Sequence, residues 1–339
     1  MRGTALASAL AMVSLAGAGC SSGGGGAPGG GGGASGGAGG AGGRATVAGE
    51  IHRPCAEASR LGGFELVMVA PTATVEGYAQ LIGAVRDKVD PTKVWQPALT
   101  EGDCRLMLGP TCSTSCALPS VCDGAACVPG PTTKTVGTVT VTGLDAALSA
   151  TPNSQKTYYA PVPTGSFPPV AAGTAVSLSA SGGDYAGFSL LGGGFPLIES
   201  PSKELPLEKG RPFTATWTPP PAPAVSRMLV KLDIAFHGGV DAQIQCDVPD
   251  SGSVTVPASL VDALIARGIA GFPSAFLIRR TIDSADVGAG SGAGCVDFSI
   301  TTTFNGTTGI QLLIPGITSC NEDTDCGTGM TCGPDLRCQ

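Results

Sequence analysis

The strictest alternation of apolar and polar positions lies between residues 228 and 236. Met228, Val230, Leu232, Ile234 and Phe236 share one parity, while Lys231, Asp233 and Ala235 hold the other. A period of two marks a half-buried strand, because successive side chains leave a sheet on opposite faces. Ile244 and Cys246 continue the inward pattern after a Gly238-Gly239 turn, and Val296, Phe298, Ile300, Thr302 and Phe304 repeat it. Val136 to Thr142 alternates in the same way. Phe64 to Val69 and Cys104 to Leu108 read as strands, and so do 175–180, 187–191 and 212–218, divided by Gly- and Pro-rich turns. Residues 72–85 mix Thr, Val, Tyr and Ile and read as a strand or a short helix over 75–86. Asn305-Gly306 favours a type I′ turn, which predicts a hairpin into 309–314.

One segment carries a helical period instead. Leu260, Val261, Leu264 and Ile265 form an apolar stripe, with Pro257 at the first helical position and Gly268 as the stop. It is expected to act as a lid over one open end of the strands. Many short strands with a single helix predict an all-β chain, a β-sandwich with smaller satellites. The expected organisation is a signal peptide over 1–19, a Gly-rich tether over 20–43 and a small β-rich domain over 44–111. A Cys-rich module over 112–131, the sandwich over 132–317 and a C-terminal disulfide knot over 318–339 complete it.

The N-terminus reads as an address. Arg2 supplies a positive charge, Ala5 to Ala16 is apolar, and Ala16-Gly17-Ala18-Gly19 offers the small residues a signal peptidase needs. The apolar run is shorter than the ~20 residues of a membrane-spanning helix. Leu15-Ala16-Gly17-Ala18-Gly19-Cys20 resembles a bacterial lipobox, in which the cysteine is diacylated. Gly17 stands where that motif usually has Leu. The competing reading is an ordinary signal peptide cut near Ala18. Ser21 and Ser22 are not the aspartate that often retains such lipoproteins in the inner membrane, so the resemblance implies the outer membrane. The Gly, Ala and Ser run over 21–43 cannot offset its chain entropy by burial and is expected to be disordered. A Gly-rich coil of that length spans about 26 Å.

Composition narrows the classes. Charged residues are 13% of the chain and the net charge is −7. That argues against nucleic-acid binding, which needs a dense basic patch. Thirteen cysteines are present, and setting Cys20 aside leaves twelve, an even set that fits an oxidising compartment. Cys55 and Cys104 are expected to pair within the N-terminal β unit, and Cys246 with Cys295 within the sandwich. Cys112, Cys116, Cys122 and Cys127 form a cluster with three possible connectivities. Cys320, Cys326, Cys332 and Cys338 recur at equal spacing, with 320–332 and 326–338 as the preferred pairing. Two cross-links of about 2–4 kcal/mol each replace a core in such short modules.

Candidate chemistry is sparse. Cys112-x3-Cys116 and Cys122-x4-Cys127 have zinc-compatible spacing, but disulfides are favoured in an exported chain. Asn321, Asp323 and Asp325 alternate as calcium ligands do, yet the loop lacks the Gly and distal Glu of a calcium loop. Asp250-Ser251-Gly252 resembles an aspartic-protease signature without a second lobe, and a turn is the better reading. His52 and His237 are the only candidate bases, and no Gly-x-Ser-x-Gly elbow is present. Trp217 is expected in the core. No catalytic, cofactor or metal site is expected.

The layout resembles cysteine-rich surface lipoproteins of myxobacteria and similar Gram-negative bacteria. The resemblance rests on the stretch to Cys20, the Gly tether, Gly102 to Leu106, the 112–127 cluster running through Pro131 to Val141, and the closing knot. It implies a place rather than a chemistry. The expectation is a lipid-anchored binding or structural module at the outer membrane, on its periplasmic face or the cell surface. Its partners would be the membrane, through acylated Cys20, and a protein or glycan ligand. The alternatives are a secreted hydrolase and a glycan-binding adhesin, the latter requiring Trp95, Tyr158, Tyr159 or Tyr185 in an exposed patch.

Overall fold

The period-two segments form strands in the computed structural model, which describes residues 45–339 except 73, 114, 164–166, 201, 238–241, 289–291 and 307. Cys20, the export signal, the tether and the Gly238-Gly239 turn lie outside the described residues. The first strands are β1 (Arg60–Val69), β2 (Tyr78–Arg86), β3 (Gln96–Glu101) and β4 (Cys104–Leu108). The first cysteine cluster contributes the hairpin β5 (Ser120–Asp123) and β6 (Ala126–Pro129). Then come β7 (Thr133–Lys134), β8 (Val139–Thr142), β9 (Leu148–Ala150), β10 (Thr157–Pro161) and β11 (Ala175–Ala180). β12 (Phe188–Gly193), β13 (Glu204–Pro206), β14 (Phe213–Thr216), β15 (Arg227–Asp233) and β16 (Ala242–Pro249) follow. After β17 (Ser253–Val256) and the helix α1 (Ala258–Ile265), the chain closes with β18 (Ser274–Val287), β19 (Gly294–Thr303) and β20 (Ile310–Leu313).

The architecture is all-β, and one mixed sheet dominates it. Its central order is β10-β2-β1-β19-β18-β15-β16-β4-β3, with β1 and β19 parallel and their neighbours antiparallel. Segment 44–111 is therefore not a separate β domain. Its strands β1 to β4 flank and extend β15, β16, β18 and β19, so the large layer draws on both predicted domains. The second layer covers only part of it and is the antiparallel sheet β12-β11-β8-β9.

Two apolar cores lie on one face of the large sheet. The first packs Phe64, Leu66, Leu81, Phe298 and Ile300 against Val141, Val176, Leu178 and Leu190 of the smaller sheet. The second packs Leu106, Val230, Leu232, Ile244 and Leu277 against Phe213 and Val256 of the β14–β17 ribbon and Leu260, Val261 and Leu264 of α1. Along β18, Ala275 and Leu277 belong to the second core, and Val287, of the same parity, to the first. The helix thus lies on the sheet face rather than over an open end, since its stripe matches the apolar surface of β4 and β16. Pro257 is its N-cap, one residue earlier than expected.

Between the cores the same face turns polar. Arg279 and Asp250 form an ion pair with side chains 1% and 0% exposed. Arg279 Nε donates to Asp250 Oδ2 (2.6 Å) and Nη2 to Oδ1 (3.1 Å). The remaining guanidinium protons reach the carbonyls of Pro196, Leu197 and Thr218. Trp217 Nε1 and Ser226 Oγ each donate to Asp250 at 2.7 Å. The predicted turn at Asp250 is present, but its carboxylate is the acceptor at the centre of this network. Trp217 is in the core, as expected.

The described cysteines form six disulfides, two of them at unexpected partners. The pairs are 55–295 and 104–246, not 55–104 and 246–295. Cys104 and Cys246 face each other in the β4–β16 register. Cys295 is the second residue of β19, three strands away from β16. Three strand spacings of about 4.8 Å put 246 and 295 beyond the ~7 Å a disulfide can bridge. The clusters pair as 112–122 with 116–127, and as 320–332 with 326–338, the second as expected.

The Asn305-Gly306 turn also differs from expectation. Both residues have the positive φ of a type I′ turn (55° and 59°), yet β19 and β20 do not pair. Instead both pair with β18, β20 beside Ser274 and Ala275 and β19 from Ile278 onward. The turn steps the chain along one partner. In the ambiguous segment over 72–85, the residues from Tyr78 onward form strand β2, held by β1 on one side and β10 on the other.

Asp250→Ala should lower the unfolding free energy by about 3–5 kcal/mol, because it strands a buried guanidinium. Chemical denaturation checks this, and a loss under ~1 kcal/mol would contradict it. Peptide mapping of the oxidised protein should recover the 55–295 and 104–246 cross-linked peptides.

Candidate functional site

The opposite face of the large sheet carries the polar half of each alternating strand. Lys231 and Leu229 of β15, Gln245 and Asp247 of β16, Arg280 of β18 and Arg105 of β4 line a groove of about 680 Å³ there. The segment ahead of β1 adds His52 and Glu57 to its wall, and the first residue of β1 adds Arg60. A second concavity of about 560 Å³ continues it over Glu65, Ile82 and Thr301, sharing Arg60, Leu229, Lys231 and Arg280. A third, of about 350 Å³, runs toward Asp233 and Phe276. Lys231 lines all three.

Most charges in the groove are already paired. Asp247 takes Arg227 Nε (2.8 Å) on one oxygen and Arg280 Nη2 on the other, where His52 Nε2 lies 3.4 Å away. Burial alone would raise the Asp247 pKa, but Arg280, Arg227 and His52 outweigh it and hold it below the ordinary value. Arg60 Nε lies 2.7 Å from Asp297 Oδ2, an ion pair out of line for a hydrogen bond, and Asp297 Oδ1 accepts Cys55 N–H. Glu65 accepts from Thr301 Oγ1, and Glu57 from Trp95 N–H.

Besides the exposed carboxylate of Asp103, three side chains are left over. Lys231, Gln245 and Arg105 are register partners across β15, β16 and β4, and they form one row on the groove floor. None has a hydrogen bond or ion pair among the described residues. Burial lowers the Lys231 pKa and neighbouring Arg280 lowers it further, against the pull of Asp233, Glu65 and Glu57. Arg280 Nε and His52 Nδ1 are also buried without a hydrogen-bond partner. Such an arrangement offers several donors and few acceptors, the complement of a ligand rich in oxygen.

The sequence-derived candidates lie elsewhere, His52 excepted. His237 is exposed at a φ of 65°, its ring 4.0 Å from that of Phe236. The cleft it lines has a single carboxylate among the described residues, Glu208. In the acidic loop, Asp325 accepts the N–H groups of Asn321 and Glu322, and Asp323 that of Cys332, so these carboxylates hold the loop backbone. Tyr158 is buried against Phe64, and Trp95 and Tyr185 are half-buried. Of these four rings only Tyr159 is exposed, at 62%. Arg105, Gln245, Asp247 and Arg280 had a usable signal: each occupies the outward parity of a strand.

His52 yields a pH test. Burial is the main reason its pKa falls below 6.5, with Arg227 and Arg280 adding to the effect and Asp247 opposing it. Below pH 6.5 the unfolded chain therefore binds a proton that the folded protein refuses. Stability is fully present above 6.5 and falls with pH until the lower folded value is passed, by at most about 1.4 kcal/mol per pH unit. Denaturation midpoints between pH 7.5 and 5 should show this decline, and His52→Gln should flatten it. A wild-type profile flat over that range would contradict it.

No protein-family model, curated protein or solved structure matches this chain.

Proposed function

We propose that this protein is an exported, lipid-anchored binding module of a Gram-negative cell envelope, and that the groove on the outer face of its large sheet is the ligand site. One observation carries the binding role: a row of unpartnered polar and cationic side chains on the floor of a connected groove. A sheet face of purely structural use would pair or cover Lys231 and Gln245, because half-buried polar groups without partners cost stability. Six disulfides support export to an oxidising compartment. The lipobox-like stretch to Cys20 supports a diacyl anchor at the outer membrane, and the Gly-rich tether would hold the folded body away from the bilayer. A ligand of protein or glycan origin fits this reading, and nucleic acid does not, given the net charge of −7.

Intact-mass measurement tests the anchor. The mature protein should begin at Cys20 with a diacylglyceryl increment and gain twelve hydrogens on reduction of its six disulfides. An unmodified Cys20 would remove the lipoprotein reading. The binding role is tested by hydrogen exchange of the detergent-solubilised mature protein with neutral and acidic oligosaccharides and with acidic and basic peptides. At least one class should slow exchange in β4, β15 and β16. Unchanged exchange there with every class would overturn the groove as the ligand site.

A further inference from the structure

We propose that the groove is a site for an oxyanion, a carboxylate, sulfate or phosphate group of a polar ligand, seated over Gln245 between Lys231 and Arg105. The inference rests on the binding-module reading and specifies its ligand chemistry. Register places the three residues side by side, Lys231 opposite Gln245 and Gln245 opposite Arg105. With strands about 4.8 Å apart, Lys231 and Arg105 originate about 10 Å from each other. From that separation two long side chains have the reach to meet at one group above the amide of Gln245. All three can donate, and the two cationic ends make the stronger charge-assisted bonds.

The charge balance agrees. The chain has 26 acidic and 19 basic residues, yet the lining of this groove has five cationic side chains and three carboxylates. One carboxylate, Asp247, is taken up by Arg227, Arg280 and His52. A second, Glu57, holds Trp95 N–H and lies 3.8 Å from Arg60. The third, Asp103, lies two residues from Arg105, outside the row. Beyond this lining, Asp233 flanks Lys231 on β15 and accepts Ala235 N–H. The row itself therefore contains two cations and no carboxylate.

Lys231 also distinguishes a ligand site from a solvated surface. It is partly withdrawn from water, unpartnered and beside a second cation, Arg280. For folding alone, a methionine of similar length would serve better there. The geometry thus points to an ammonium whose partner arrives from outside the chain.

The experiment measures binding of trigalacturonate, a sulfated disaccharide and tripolyphosphate to the detergent-solubilised mature protein by calorimetry, with a neutral trisaccharide as control. At least one anionic probe should bind, and more weakly as salt rises, while the neutral probe should not. Which probe binds identifies the oxyanion as carboxylate, sulfate or phosphate. Lys231→Met should weaken that probe at least tenfold while raising Tm by roughly 2–4 °C. Arg105→Gln, at an exposed position that leaves the fold intact, should weaken it several-fold. Wild-type affinity in both variants, or a loss of affinity in Lys231→Met accompanied by a lower Tm, would overturn the proposal. Binding of the neutral probe alone, with slowed exchange in β4, β15 and β16, would overturn the oxyanion assignment and leave the groove as a binding site. No slowed exchange with any ligand would remove both.

Discussion

The Arg279–Asp250 pair is the constraint around which the molecule is arranged. One sheet supports two apolar cores on the same face, and the coverings of those cores cannot merge. Where they meet, loop carbonyls and an indole N–H would otherwise be buried without partners. A guanidinium and a carboxylate at 1% and 0% exposure absorb them. The carbonyls of Pro196, Leu197 and Thr218 are held by Arg279, and the Trp217 N–H and Ser226 hydroxyl by Asp250. A buried pair of this kind is weak evidence for added stability, because desolvation offsets its attraction. Its use here is positional: it sets where the smaller sheet ends and where the β14–β17 ribbon begins.

The opposite face follows from the same strands. In β15, Val230 and Leu232 enter the second core because Leu229, Lys231 and Asp233 point away. A period of two thus yields a core and a groove from a single stretch. The first face is closed by apolar packing, by the Arg279–Asp250 seam and by Asp283, which pairs with Arg53 and accepts Leu191 N–H. The second remains open, and Asp247 organises its cations without neutralising the row of Lys231, Gln245 and Arg105.

Strand existence is legible in the sequence wherever alternation is strong, as at 228–233 and 296–303, although the alternation runs on through Ile234 to Phe236, where the chain already turns. Strand neighbours are not. Alternation specifies which side chains go inward and says nothing of which strand lies beside which. The pairing of β1 with β19, far apart in the chain, has no local signal, and the division at residue 111 and two of the disulfides were misread for that reason. The C-terminal knot was read correctly because its connectivity is local. Asn305-Gly306 encodes the turn but not the partner of the strand that follows, since β18 is long enough to pair with both flanking strands. In the groove, the residues were visible as outward polar positions. Their convergence depends on sheet order, so Arg105 and Lys231, more than a hundred positions apart, could not be connected beforehand.

The parallel pairing of β1 with β19 bears on the order in which the fold can be made. β1 and β2 can meet early as a hairpin, but the other edge of β1 waits for residues 294–303. Cys55 waits equally long for Cys295, with 240 positions between them. Cys104 depends on Cys246, 142 positions later. A chain emerging from its N-terminus therefore cannot complete the large sheet progressively. Long-range pairing of this kind is slow and leaves strand edges open to wrong partners. The two cysteine clusters close over ten to twelve positions each and are free of that dependence. Maturation is thereby split into two regimes, local staples that can form as soon as their own residues are out, and a central sheet that assembles only when residues 294–303 have arrived.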